Sequence, residues 1–137
     1  MRIELTQLIN RAPAEVFRFI AADHVRNHPR WDPKMELQQL TGGPMGVGTV
    51  IRRRNTHAAM PLEGTMKVVE FVPNRAFGMV IQDGPTEMHS RITFEAQDGN
   101  QTKLVASVDI PSMAAPLDPE PIQKSMRRMK ELIEAER

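Results

Sequence analysis

A chain of 137 residues fits one domain built on one core, and its 18 basic and 17 acidic side chains leave a net charge of +1. With no overall field to attract nucleic acid or anionic lipid, neither is an expected partner. The lack of cysteine excludes disulfides, thiolate metal sites and cysteine nucleophiles.

The opening residues, Met1 to Gln7, alternate polar with apolar and lack the apolar core of a signal peptide. No later run is long enough to span a bilayer, so a cytoplasmic protein with no membrane insertion is expected. The same alternation over residues 2–9 predicts a first, half-buried strand with Ile3, Leu5 and Ile9 on one face. Pro13 suits the first turn of a helix, and Val16, Phe17 and Ile20 give that helix one apolar face. Asp23 is placed to cap a second short helix, which Pro29 and Pro33 keep from growing.

From Lys34 onward, strand patterns alternate with turn signals. Met35 and Leu37 begin a strand that ends at Gly42-Gly43-Pro44, and residues 49–55, 62–72, 75–82, 87–96 and 102–110 follow. Pro73-Asn74, Asp83-Gly84-Pro85 and Asp98-Gly99-Asn100 are the turns, and such short connections make the strands antiparallel neighbours. Met88, Ser90, Ile92 and Phe94 share one face of their strand, while Glu87, His89, Arg91, Thr93 and Glu95 share the other. A terminal helix begins near Asp118 or Pro119, with Ile122, Met126, Met129 and Ile133 as its buried stripe. That stripe must cover the apolar face of the sheet.

The segments Ile9-Asn10-Arg11-Ala12-Pro13-Ala14-Glu15-Val16-Phe17, Trp31-Asp32-Pro33, Gly43-Pro44-Met45-Gly46-Val47-Gly48-Thr49 and Val69-Glu70-Phe71-Val72-Pro73-Asn74-Arg75 occur in this order. In that order they resemble the polyketide cyclase/dehydrase and lipid-transport superfamily, also called SRPBCC or START-like, over nearly the whole chain. The resemblance implies an α+β helix-grip fold spanning residues 1–137. Its curved seven-stranded antiparallel sheet has two short helices after the first strand and a long C-terminal helix across the concave face, with a hydrophobic cavity between. It carries no universal catalytic motif to these residues. Pro13, Glu15, Trp31 and Pro33 match its architecture, and the absence of tyrosine departs from its cyclase-like members.

Ten methionines accompany five phenylalanines and one tryptophan, so flexible thioethers fill the interior more than rigid rings do. That suits ordinary core filling and also a deformable pocket. Trp31, Met66, Met79, Met88, Ser90, Met126 and Met129 are the expected wall residues. Arg52, Arg53 and Arg54 lie on one strand and cannot all face the same way. The run reads either as a solvated strand face or as one with Arg53 or the Arg52/Arg54 pair turned inward, and in the binding reading Arg52 or Arg54 orients a ligand's polar end.

The glycines of residues 42–48 lack the Gly-Lys-Ser/Thr ending of a phosphate loop and lead into a strand. His24 and His28 stand four apart but have no evident third partner, so no metal is expected. His57 and His89 read as surface or rim histidines. Ser90, Ser107, Ser112 and Ser125 have no nucleophile-elbow context.

The leading expectation is a binding protein for a small hydrophobic molecule of the lipid, polyketide or quinone type, with no cofactor. Burial of apolar surface supplies its affinity at about 25 cal/mol per Å². The alternative is an enzyme of cyclase, dehydrase or hydrolase type in which Arg52, His57, Asp83 or Glu87 positions an enolisable carbonyl compound. A third reading is an interaction domain that forms a homodimer through the outer sheet face.

Overall fold

The computed structural model describes residues 1–56, 60–114, 116 and 118–136. Strand β1 (Arg2–Ile9) is followed by helix α1 (Pro13–Phe17), a π-helical turn (Arg18–Ala22) and helix α2 (His24–Trp31). Six strands come next: β2 (Met35–Gln39), β3 (Val50–Asn55), β4 (Leu62–Val72), β5 (Ala76–Asp83), β6 (Thr86–Gln97) and β7 (Gln101–Asp109). Helix α3 (Glu120–Ala135) closes the chain. The sheet runs β1-β7-β6-β5-β4-β3-β2 with every pair antiparallel.

The strand pattern read from the sequence is found within a residue or two, except that β2 stops at Gln39, and the face assignment of β6 holds. Ile92 and Phe94 are buried and Met88 and Ser90 half-buried, whereas Glu87, His89, Arg91 and Glu95 are exposed. Turn chemistry explains the boundaries. Asn74, in the β4–β5 connection, has φ of 65°, a left-handed conformation that asparagine tolerates better than most side chains.

The second helix is short, as Pro29 and Pro33 lead one to expect, and runs through Pro29 to end at Trp31. Pro29 removes one backbone donor, but burial of His24, Asn27 and Trp31 on the inner side holds the turn through it. Asp23 occupies the N-cap position, yet its carboxylate makes no capping bond. In the π-helical turn the Asp23 N–H reaches back five residues to the Arg18 carbonyl, at 2.8 Å. The widened turn leaves carbonyls that α2 satisfies with side chains: Asn27 Nδ2 donates to Phe19 O at 2.9 Å, and His24 Nδ1 bonds Ile20 O at 2.8 Å.

Helix α3 buries Met126, Met129 and Ile133 and half-buries Ile122. Its last turn is tied to the β1–α1 junction through Glu134. That carboxylate accepts the Asn10 N–H at 2.9 Å and pairs with Lys130, while the Arg11 guanidinium donates to the Glu134 carbonyl. Arg128 Nε also donates to Arg30 O, at 3.2 Å, which fixes α3 against the end of α2. Among the described residues no helix is long and apolar enough to cross a membrane.

Candidate functional site

The inner faces of β4 to β7, the stripe of α3 and the buried side of α2 enclose a partly open cavity of about 210 Å³. Its sheet wall includes Met66, Met79, Ile81, Ser90, Ile92 and Ala106; its helical wall includes Ile122, Ser125, Met126 and Met129 from α3. His24, His28, Trp31 and Asp32 supply the polar and aromatic end. The wall is predominantly apolar, and four of the chain's ten methionines contribute to it. A second cleft, of about 220 Å³, lies between Glu15, Arg18, Asp23, Arg26 and Glu136. Its charged rim is unsuited to an apolar guest.

Six of the expected wall residues therefore meet at one cavity: Trp31, Met66, Met79, Ser90, Met126 and Met129. Met88 packs half-buried against the core and is not part of that wall. The arginine expectation needs correction. Arg52 and Arg54 point outward, about half exposed, and pair with Glu63 at 2.8 Å and Glu36 at 3.3 Å. Strand alternation is the cause: Ile51 is fully buried, so Arg53, two residues on, shares its inward face and its neighbours cannot.

Arg53 meets Asp83 in a two-point ion pair. Nε lies 2.9 Å from Oδ1 and Nη2 donates to Oδ2 at 3.0 Å, with both side chains 6% exposed. Nε and Oδ1 have no other partner among the described residues. The sheet register makes this pair fit: Arg53 stands opposite Gly64, and Gly64 opposite Asp83. With no side chain on the middle strand, the guanidinium spans β4 to the carboxylate on β5. A Cβ at Gly64 would fall 1.9 Å from Gln82 O and 2.6 Å from Asp83 Oδ1, so the glycine is required by close approach.

The residues that sequence reasoning undervalued are His24 and His28. His24 is 2% exposed, its ring 5.2 Å from that of Phe77 and 5.6 Å from that of Trp31. His28 is half-buried and stacks on Trp31, with centroids 5.1 Å apart and planes 17° apart. The Nε2 of His24 and the Nδ1 of His28 face each other at 2.9 Å. Burial pushes His24 down to about 4, against the bond to the Ile20 carbonyl, with the Arg53 charge adding to the fall. Burial, then the His24 and Arg53 charges, hold His28 well below the ordinary histidine value. Both rings are therefore neutral near pH 7. Their helical spacing was visible in the sequence, and Asn27 and Trp31 complete it: positions 24, 27, 28 and 31 form one face of α2.

Among the described residues, the groups named for an enzyme do not converge at this cavity. Arg52 faces solvent, Glu87 is exposed beside His89 at 3.1 Å, and Asp83 is engaged by Arg53. His57 lies outside the described residues. Ser90 and Ser125 place hydroxyls on the wall, whereas Ser107 and Ser112 do not. Among the described residues no three His, Asp or Glu side chains gather as a metal group.

A family model described as polyketide cyclase/dehydrase and lipid transport matches residues 1–135. No curated protein matches the chain significantly. Among solved structures, Ara h 8.0201 is similar at 17% identity and a TM-score of 0.77, with 99% of each chain covered. The Zhui aromatase/cyclase from Streptomyces sp. R1128 has 16% identity and a TM-score of 0.77, covering 98% of this chain and 93% of that one. Truncated norcoclaurine synthase from Thalictrum flavum has 12% identity and a TM-score of 0.78, covering 100% of this chain and 95% of that one. At these identities the likeness shows a shared fold.

Proposed function

We propose that this chain, which belongs to the polyketide cyclase/dehydrase and lipid-transport family, holds a small hydrophobic molecule between its sheet and helix α3. The observation that carries the reading is the methionine-lined cavity of about 210 Å³. Its size narrows the guest. An apolar cavity of about 150 Å³ admits benzene, and sites for drug-sized ligands begin at about 300 Å³. One or two rings, such as a small quinone or a short cyclised polyketide, match that space; a full-length lipid chain exceeds it. Thioether side chains on both walls allow the cavity to adjust to the outline of its guest at low cost.

A binding role is favoured over an enzymatic one because, among the described residues, Arg52 and Glu87 face outward and Asp83 is already paired with Arg53. Titration with an uncharged naphthylamine fluorophore tests the reading, together with native mass spectrometry of the freshly purified protein. The expected result is saturable one-to-one binding, abolished by Ser125→Phe, which places a ring in the cavity. Absence of saturable binding, combined with no co-purified small molecule, would overturn it.

A further inference from the structure

We infer that His28 Nε2 is the hydrogen-bond acceptor for a ligand hydroxyl, so that the cavity selects phenol- or naphthol-type molecules over hydrocarbons of the same shape. The inference rests on the reading of this cavity as an apolar ligand site. It follows from donor and acceptor accounting along the two imidazoles. The Ile20 carbonyl can only accept, so the hydrogen of His24 is on Nδ1, 2.8 Å away. The Nε2 of a neutral His24 is then an acceptor, and the atom facing it at 2.9 Å is His28 Nδ1, which must donate. The hydrogen of neutral His28 is thereby fixed on Nδ1, and Nε2 keeps a bare lone pair. That nitrogen has no protein partner among the described residues.

Two features make the lone pair a recognition element. His28 lines the cavity, and its stacking on Trp31 fixes the ring plane. The other polar wall groups discriminate less. Ser90 and Ser125 hydroxyls both donate and accept, and the Asp32 carboxylate already takes the Lys34 N–H at 3.3 Å. Among the described residues, Asp32 stands on the cavity wall with the pair and the Arg53 charge bears on both rings. Arg53 opposes protonation of both rings, and Asp83 is bound to Arg53. The acceptor state is thus maintained at neutral pH, and a guest hydroxyl aligned with Nε2 finds a preset partner in place of water.

The test compares 2-naphthol with 2-methylnaphthalene, which share ring shape and differ in the donor. In the unmodified protein both bind, and His28→Phe, which keeps a ring against Trp31, lowers the affinity for 2-naphthol about tenfold relative to 2-methylnaphthalene. His28→Gln, whose side-chain oxygen can accept, restores part of that preference. If both probes bind and His28→Phe leaves their affinity ratio unchanged, this inference is overturned and the cavity reading stands. If neither probe binds the unmodified protein, both fall. A readout independent of folding of the variants is the nitrogen-15 resonance of His28 Nε2 in the unmodified protein. It is expected in the unprotonated range and to shift with 2-naphthol but not with 2-methylnaphthalene; a protonated-type or unresponsive signal overturns the inference.

Discussion

Removing Asp83 should destabilise the protein far more than removing both members of its ion pair. The carboxylate and the Arg53 guanidinium are each 6% exposed and joined at 2.9 and 3.0 Å, so Asp83→Ala leaves a charged guanidinium in the sheet's inner face without a counter-charge. Breaking a buried pair in this way costs about 3–5 kcal/mol, a large share of the roughly 5–15 kcal/mol that stabilises a domain. The double variant Arg53→Met with Asp83→Leu avoids that penalty, because two apolar side chains can close over Gly64. Replacement of buried pairs by packed apolar residues ranges from neutral to a gain of about 1–4 kcal/mol. Urea unfolding of the four proteins in this cycle gives the coupling from midpoints and slopes. A cost under about 1 kcal/mol for Asp83→Ala, or a double variant that loses as much as the two single variants summed, would refute an uncompensated buried charge.

Three further outcomes are expected. Between its unfolded value of 6.5 and its folded value of about 4, His24 binds more protons in the unfolded chain. Its contribution is therefore full above pH 6.5 and lost as pH falls toward 4, by roughly 3 kcal/mol, which urea midpoints at pH 7.5 and 4.5 measure and a pH-independent midpoint contradicts. Gly64→Ala forces β4 and β5 apart at Gln82 O and should cost about 1–3 kcal/mol, seen as a melting temperature several degrees lower. Glu134→Ala should cost about 1 kcal/mol and speed amide exchange at Asn10, whose N–H loses its acceptor; unchanged exchange there counts against the anchor. Burial raises the Glu134 pKa, but the Asn10 bond and the Lys130 and Arg11 charges outweigh it. With the net lowering, the contribution of this anchor is full above pH 4.5 and is lost as pH falls from there through the lowered folded value.

The cavity wall was largely legible because it follows periodicity. Met66, Met79 and Ser90 lie on strands whose inward faces alternate plainly, and Met126 and Met129 lie on a helix with one apolar stripe. Met88 obeys the same alternation yet sits off the wall, since facing inward does not determine distance from the open space. The arginine run shows the limit of local pattern. Alternation says that Arg53 opposes Arg52 and Arg54, but choosing between them depends on Ile51 being buried and on a glycine and an aspartate brought alongside by β4 and β5. By spacing alone His24 and His28 are a pair with no third metal ligand, although positions 24, 27, 28 and 31 mark one helical face. Polar residues on such a face carry no apolar signal, so burial had to be seen.

From its own sequence this chain determines its element order, its turns and the inward faces of its strands, because those depend on residues within a few positions of one another. The family follows from the same local signals taken in order. Only the tertiary structure decides that Arg53 reaches Asp83 across Gly64, and that His24 is neutralised by burial and hands an acceptor to His28 at the cavity. Those outcomes depend on desolvation and on partners distant in sequence. A polar side chain acquires its chemical state from what surrounds it.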